Sequence, residues 1–206
     1  MSDSGKVSLR ERKKQQVRRR FQRIALELFD ERGFEHVTVD DIAERAEISR
    51  STFFRYFPTK EDVLIGRADE HLDELRDAFV ARAPDEPVLR SLRHSLEALA
   101  ASYEAERSDF VAMRRIAEDH PSILARGLEH QAAWEETFAE LLADRLQDTA
   151  GPGLRSRVVA GAVMAAVRVA IDEWLAEGGS RDLQALIGEA FEVLDDGLVQ
   201  ALRDPG

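Results

Sequence analysis

Residues 38–60 read TVDDIAERAEISRSTFFRYFPTK and carry the signals of two short helices joined by a tight turn. Thr38 followed three residues later by Asp41 is the pattern of a capping box, in which side chains and backbone N–H groups satisfy one another at a helix start. Ser49 is a favourable N-cap for the second helix. The spacing therefore predicts a helix-turn-helix motif over residues 38–57.

The second helix of this motif has two faces of different chemistry. Phe53 and Phe57 are one helical turn apart, and we expect them to point into the core. Arg50, Ser51 and Phe54 fall on the opposite face. An outward face with polar and aromatic side chains is typical of a helix that lies in a DNA major groove.

Charge is distributed unevenly along the chain. The whole sequence carries −11, whereas residues 1–60 carry +4 and residues 61–206 carry −15. Residues 1–23 alone contain 9 basic and 2 acidic side chains. A basic end on an acidic body is the electrostatic pattern of a protein that binds a polyanion at that end, although a solvated basic tail has the same composition.

Composition and motif content exclude several classes of protein. The 206 residues include no cysteine, which excludes disulfides, thiolate catalysis and cysteine-ligated zinc. No apolar run approaches the roughly 20 residues of a membrane span, and the first residues lack the apolar core of a signal peptide. We therefore expect a cytoplasmic protein without membrane contact. There is no glycine-rich phosphate loop or nucleophile elbow, and the histidines share no metal-ligand spacing, so we expect neither an enzyme nor a bound cofactor or metal.

The rest of the chain is predicted to be helical almost throughout. Its prolines stand at plausible helix boundaries, and no segment has the alternation of a strand. The predicted helices cover about residues 9–32, two within 38–57, and then 60–82, 88–105, 108–119, 121–148, 154–177 and 181–203. A second capping box, Thr59 to Asp62, is predicted to start the helix at 60–82. We predict an all-α fold of about nine helices, with an N-terminal DNA-binding domain over residues 1–58 and a C-terminal regulatory and dimerisation domain over residues 59–206.

Three segments agree in residue type, spacing and order with one known family: ALELFDERGF at 25–34, TVDDIA at 38–43 and SRSTFFRYFPTKE at 49–61. They resemble the N-terminal domain of the TetR/AcrR family of bacterial transcriptional regulators. The resemblance implies a ligand-responsive DNA-binding regulator, by the family's habit a repressor. Its implied partners are a double-stranded DNA operator and a small-molecule effector. An activator or a ligand-independent regulator of the same family is the alternative.

Seven residues are predicted to contact DNA: Thr38, Arg50, Ser51, Thr52, Phe54, Tyr56 and Lys60. The fork of Arg50 matches guanine O6 and N7, and Ser51 can donate or accept at a base edge. The resemblance places Phe54 against thymine methyls or sugars. It places the remaining four on phosphates, where they fix register without reading sequence. For Thr38 the less favoured alternative is a helix cap alone, and for Arg50 it is a solvated side chain.

The turn of the motif departs from the family pattern at Glu47, where the family usually has glycine. Glycine adopts the left-handed backbone conformation readily, whereas glutamate there costs on the order of 1 kcal/mol. The side chain also adds a negative charge near the DNA-facing surface. We therefore expect DNA binding that is weakened but not lost.

The last two predicted helices are rich in apolar residues. The first contains VVAGAVMAAVRVAI at residues 158–171, which is apolar nearly all round. The second repeats large apolar residues at helical spacing: Leu183, Leu186, Ile187, Ala190, Phe191, Leu194, Leu198 and Leu202. These two helices, the eighth and ninth, predict the two-fold interface of a homodimer. The alternative is that both complete the core of one monomer.

The resemblance implies an effector chamber among the helices predicted between residues 88 and 148. The candidate lining residues are Tyr103, Phe110, Met113, Arg114, Trp134, Phe138 and Met164. Such side chains more often belong to an ordinary core, which is the alternative. If they line a chamber, their apolar bias favours a hydrophobic or amphipathic effector. We expect the effector to shift the helix predicted at 60–82, so that the two reading helices of a dimer lose the spacing of a pseudo-palindromic operator. An enzyme or a helical scaffold would not show salt-dependent DNA binding.

Overall fold

The computed structural model describes residues 9–65, 67–146 and 151–197. Over these residues the chain forms α-helices and short 3₁₀ turns and no β-strand. The helices are α1 Leu9–Arg32, α2 Val39–Arg45, α3 Arg50–Tyr56, α4 Ala68–Val80, α5 Val88–Ala105, α6 Arg107–Glu118, α7 Pro121–Leu146, α8 Leu154–Ala176 and α9 Leu183–Asp196. The predicted all-α fold of about nine helices is confirmed. None of the helices described has the length and apolarity that a membrane crossing requires.

The chain divides into two compact units. The first runs to Ala68 and also includes Arg115–Arg126, and the second comprises Asp69–Arg114 and the residues from Gly127 onward. Helices α6 and α7 therefore each contribute residues to both units. The first unit continues past residue 58, where the predicted DNA-binding domain ends.

The predicted start of the fourth helix, near residue 60, is wrong. The capping box is present, since Thr59 N donates to Asp62 Oδ2 at 2.8 Å and Asp62 N donates to Thr59 Oγ1 at 3.2 Å. It closes a 3₁₀ turn at Glu61–Val63, and α4 begins only at Ala68. Asp62 is buried, and its Oδ1 accepts from Arg126 Nε at 3.0 Å. This ion pair between distant parts of the chain overrides the local helix signal.

The other predicted boundaries are close to those observed. The first and fifth helices match in both ends. The ninth helix begins at Leu183 because Asp182 caps it, accepting from Ala185 N at 2.9 Å. The predicted ends of the seventh and ninth helices, at residues 148 and 203, lie outside the described residues.

The core of the first unit is dominated by phenylalanine. Its buried apolar side chains include Phe21, Ala25, Leu28, Phe29, Phe34, Ile42, Phe53 and Phe57. Complete burial of one large apolar side chain contributes on the order of 1.5–3 kcal/mol. Helix α1 ends at Gly33, whose φ of 81° stops the helical path while its N–H donates to Phe29 O at 2.9 Å. Helix α3 packs against α2, and its Tyr56 ring meets Phe21 of α1.

In the second unit, α9 packs against both α5 and α8. Four of the apolar residues that predicted a dimer interface are buried within this unit: Leu183, Leu186, Ile187 and Phe191. Trp174 of α8 is fully buried, and its indole Nε1 donates to Arg181 O at 3.1 Å. The apolar stripe of α9 is therefore used largely inside the monomer.

Candidate nucleic-acid interface

The start of α2 is fixed by a reciprocal cap. Asp41 N donates to Thr38 Oγ1 at 3.2 Å, and Thr38 N donates to Asp41 Oδ2 at 2.8 Å. The Thr38 hydroxyl also donates to this carboxylate. The hydrogen bonds from Thr38, with the nearby Arg32 guanidinium, lower the pKa of Asp41 below its usual value. Thr38 is a cap in the structure, and its side chain is exposed, so its contact with phosphate stays a prediction.

The turn after α2 reverses the chain through Glu47, whose φ is 56°. Ile48 N donates to Ala43 O at 2.9 Å, and Glu47 N donates to Glu44 O at 3.0 Å. This pair of bonds is a Schellman motif, which requires the left-handed conformation at Glu47. The predicted left-handed conformation is confirmed. The turn thus forms without glycine and sets the angle at which α3 leaves α2.

Hydroxyl groups cluster at the start of α3. Ser49 Oγ accepts from Thr52 N at 3.1 Å, which makes Ser49 the N-cap as predicted. The same oxygen lies 2.9 Å from both Ser51 Oγ and Thr52 Oγ1. Two of the predicted DNA contacts are therefore held together beside the free N–H groups of the helix start, a favourable position for a phosphate oxygen.

Arg50 and Phe54 stand together on the outward face of α3. The guanidinium carbon of Arg50 lies 5.5 Å from the centroid of the Phe54 ring, one helical turn along. Phe54 is 41% exposed although Phe53, its neighbour, is fully buried. Arg50 Nη1 also donates to Asp40 Oδ2 of α2 at 2.7 Å. The arginine is thus oriented by a ring and a carboxylate at the surface, and sequence reasoning did not foresee the second of these.

Tyr56 and Lys60 are more embedded than the residues at the start of α3. The Tyr56 ring packs edge-on against Phe21 at 5.3 Å. Lys60 Nζ donates to Phe34 O at 2.8 Å and to Val37 O at 3.1 Å, and it lies 4.0 Å above the centroid of the Phe34 ring. Lys60 therefore closes the loop between α1 and α2, and a phosphate contact would use its third N–H.

The basic part of α1 adds to this surface. The Arg18 guanidinium carbon lies 5.5 Å from the centroid of the Phe57 ring, and Arg19 and Arg20 are exposed. The side chains of Lys13 and Lys14, which we also expected near DNA, lie outside the described residues. The first unit thus presents positive charge on α1 and a polar and aromatic face on α3.

Comparison with known proteins assigns this arrangement to a family. The tetR family of bacterial regulatory proteins matches residues 23–65, and the MftR C-terminal domain matches residues 86–199. The chain is 33% identical to the HTH-type transcriptional regulator TcmR of Streptomyces glaucescens, over 96% of this chain and 91% of TcmR. The chain belongs to the TetR family of bacterial transcriptional regulators. Its similarity to TcmR extends through both compact units.

Two further relatives of this TetR-family chain are informative. The transcriptional regulator MftR of Mycobacterium tuberculosis, whose name assigns it to mycofactocin biosynthesis, is 30% identical over 85% of this chain and 87% of its own length. The solved structure of Thermus thermophilus FadR, a TetR-family repressor in complex with lauroyl-CoA, has a TM-score of 0.58 and 26% identity. The structural similarity covers 88% of this chain and 94% of FadR. The relatives are thus regulators, and one of them is a repressor crystallised with an amphipathic ligand.

The second unit of this TetR-family protein brings some of the predicted effector residues together. Tyr103 and Phe110 stack with centroids 4.4 Å apart and ring planes at 9°. Arg114 Nη1 donates to Asp172 Oδ1 of α8 at 2.8 Å, which ties α6 to α8. Met113 is half-buried on α6. The remaining three, Trp134, Phe138 and Met164, are buried on α7 and α8.

Sequence reasoning missed two members of this aromatic group. His71 of α4 is 2% exposed, and its ring centroid lies 4.7 Å from Tyr103 and 5.8 Å from Phe110. Trp174 of α8 meets Phe110 edge-on at 6.4 Å. We call His71, Tyr103, Phe110 and Trp174 the aromatic stack. A signal for His71 existed, because it stands at helical spacing before the buried Leu75 of the same helix.

Proposed function

We propose that the protein is a cytoplasmic repressor that binds a pseudo-palindromic operator as a homodimer and leaves it when a small apolar or amphipathic effector binds. The observation that carries the proposal is the outward face of α3, where Arg50 and the exposed Phe54 project from a helix whose other face is buried. Exposed aromatic and arginine side chains on a rigid helix are suited to base edges and thymine methyls. Activation, or regulation without an effector, is the alternative within the same family.

The DNA contacts divide into readers and anchors. Arg50, Ser51 and Phe54 read base edges, whereas Thr52, Tyr56, Lys60 and Thr38 bind phosphates and fix the register. The hydroxyl cluster at Ser49 supports this division, because it orients two of these side chains at the end of α3 that approaches the groove. Phosphate contacts make the affinity fall as salt is raised.

Dimerisation through α8 and α9 is supported by an uncovered apolar stripe. The exposed residues of α8 include Leu154, Val158, Ala162, Ala165 and Val169, which recur at spacings of three and four. On α9, by contrast, only the exposed Val193 joins the large apolar side chains of this surface, since most of its stripe is buried. Helix α8 therefore supplies the larger share of the isologous contact. Leu198 and Leu202, also predicted for this interface, lie outside the described residues.

The proposed effector site is the aromatic stack. Met113 and Arg114 follow Phe110 by three and four residues on α6, and the buried Trp134, Phe138 and Met164 stay the predicted apolar lining. Stacked rings that include the His71 imidazole and the Tyr103 phenol combine an apolar surface with polar atoms at its edge, which suits an amphipathic molecule. The lauroyl-CoA complex of Thermus thermophilus FadR supports an amphipathic effector.

Coupling to DNA runs along α6 and α7. Phe110 belongs to the stack, and five residues later on the same helix Arg115 pairs with Asp30 of α1. Five residues after the start of α7 at Pro121, Arg126 pairs with the buried Asp62. A shift of α6 or α7 on effector binding changes these ion pairs and the setting of α3, a coupling of about 1–3 kcal/mol. This route replaces the predicted one through a helix starting at residue 60.

The proposal is tested by fluorescence anisotropy with the full-length protein on duplexes that cover the DNA upstream of its own coding sequence. We expect saturable binding that weakens steeply from about 50 to 200 mM salt, and two bound chains per duplex. A scrambled duplex of the same composition is the matched control. Equal affinity for both duplexes would contradict autoregulation, and no salt-dependent binding to any duplex would contradict the regulator itself in favour of an enzyme or a scaffold.

A further inference from the structure

The one outward-facing ion pair that joins α2 to α3 among the described residues is Asp40 with Arg50. Arg50 Nη1 lies 2.7 Å from Asp40 Oδ2, and 62% and 65% of the two side chains are exposed. We propose that Asp40 is a positioning residue for sequence readout, holding the Arg50 guanidinium in the orientation that pairs with guanine. The inference rests on the proposed role of Arg50 as a base reader.

Asp40 takes no part in the cap of the helix on which it stands. The capping box at the start of α2 uses the next residue, Asp41, whose carboxylate accepts from both Thr38 N and the Thr38 hydroxyl. A second carboxylate in the same turn repels DNA phosphates. Asp40 therefore lowers general DNA affinity and is not part of the helix cap. A role in discriminating between bases would account for a carboxylate at this position.

The Arg50 guanidinium can still donate hydrogen bonds to a guanine while it is paired with Asp40. A guanidinium has five N–H donors, and the contact with Asp40 is made from Nη1. The Phe54 ring, 5.5 Å from the guanidinium carbon, supports a second side of the group. Donors on the remaining edges are available to O6 and N7 of guanine, which accept two parallel hydrogen bonds. Fixing a flexible side chain before binding lowers the entropy lost on binding.

Removal of Asp40 should change base discrimination and general DNA affinity in opposite directions. An exposed ion pair contributes at most a factor of about five, so removal of Asp40 should lower the preference for guanine over adenine by about three- to fivefold. General affinity should rise, because a negative charge leaves the DNA-facing surface. A residue with a merely structural role would change both quantities in the same direction.

The test uses the full-length protein and four forms: wild type, Asp40→Asn, Glu44→Gln and Arg50→Ala. Glu44 is the matched control, because it is an exposed carboxylate on the same helix. Duplexes are first enriched from a random library with the wild type. Affinities are then measured by anisotropy for the enriched duplex and for duplexes in which each G·C pair is replaced by A·T. The guanine read by Arg50 is the one at which Arg50→Ala loses discrimination.

We expect Asp40→Asn to lose about three- to fivefold of the discrimination at that guanine and Glu44→Gln to keep it, while both bind random duplex more tightly. Equal discrimination in Asp40→Asn and Glu44→Gln, or higher discrimination in Asp40→Asn, would overturn the positioning role. If Arg50→Ala keeps discrimination at every guanine, the base-reading role of Arg50 is wrong and the inference is overturned with it. Circular dichroism of each form excludes loss of fold as the cause.

Discussion

The helix-turn-helix and the aromatic stack are assembled from differently distributed parts of the sequence. In the helix-turn-helix, the caps join residues three apart, as Thr38 with Asp41 and Ser49 with Thr52. In the stack, four rings come from four helices, α4, α5, α6 and α8. The first region is specified by neighbours along the chain, whereas the second exists only once distant helices have packed.

The largest expected effect is on the free energy of unfolding when a phenylalanine is replaced by alanine in each of the two regions. Phe53 is fully buried under α3, so Phe53→Ala should cost about 3–5 kcal/mol of the free energy of unfolding of the first unit. Phe110 is half-buried, so Phe110→Ala should cost about 1–2 kcal/mol in the second unit. The contrast would show that α3 depends on a tightly packed core, whereas the half-buried ring of the aromatic stack contributes less to folding.

The two units can be followed separately in urea. Both tryptophans, Trp134 and Trp174, belong to the second unit, so tryptophan fluorescence reports that unit and far-ultraviolet circular dichroism reports both. We expect Phe53→Ala to shift the part of the dichroism transition that tryptophan fluorescence does not follow and to leave the fluorescence midpoint in place. Coincident shifts of both signals would contradict the separation of the two units.

The second prediction concerns Lys60, which was predicted only as a phosphate contact. Its ammonium group donates to two backbone carbonyls, Phe34 O and Val37 O. Lys60→Met should therefore lower the stability of the first unit by about 1–2 kcal/mol even without DNA, because two charge-assisted hydrogen bonds are lost. Arg20→Met, which removes an exposed charge of α1, is the control and should leave the urea midpoint unchanged. An unchanged midpoint in Lys60→Met would show that these two hydrogen bonds do not stabilise the first unit.

A third prediction separates strain from charge in the turn. Glu47→Gly should stabilise the first unit by about 1 kcal/mol, because glycine accepts a φ of 56° without strain. It should also tighten DNA binding by removing a negative charge. Glu47→Gln removes the charge and keeps the strain, so it should tighten binding with no gain in thermal stability. If both variants gain the same stability, the left-handed conformation is not the source of the cost.

The parts of the fold that could be predicted depend on residues that are close together in the sequence. The caps at Thr38 and Ser49 and the left-handed turn at Glu47 each depend on chemistry within a few residues, and each was foreseen. The start of α4 was not, because Asp62 is held by Arg126 from α7. No local pattern contains that partner.

The same limit applies to the candidate sites. Tyr103 and Phe110 could be chosen from their residue type, but His71, whose ring lies close to both, comes from a helix with no predicted role in the chamber. The ion pair between Asp40 and Arg50 was not predicted for a related reason, since its geometry depends on the angle between two helices. Residue type and period predict which face is apolar, and packing decides which residues meet.

The smallest expected effect is a pH dependence that differs between the units. In the second unit, Arg82 donates to both oxygens of Glu86 at 2.6 and 2.7 Å, and Ser91 Oγ donates to it at 2.8 Å. The Arg82 hydrogen bonds, with help from Ser91, lower the pKa of Glu86 from 4.5 to about 2. In the first unit, Thr38 lowers the pKa of Asp41.

A carboxylate whose pKa is lower in the folded state stabilises the fold above its unfolded pKa and loses that contribution as protons bind. For Glu86 the stabilisation should be complete above about pH 4.5 and should disappear as the pH falls towards 2. Glu86→Gln should therefore flatten the decline of the fluorescence-detected urea midpoint between these pH values. Asp41→Asn should leave the fluorescence curve unchanged, because Asp41 lies in the first unit and its carboxylate stabilises α2. It should weaken the pH dependence only of the part of the dichroism transition that fluorescence does not follow. Parallel curves for wild type and Glu86→Gln would show that other carboxylates control the acid stability of the second unit.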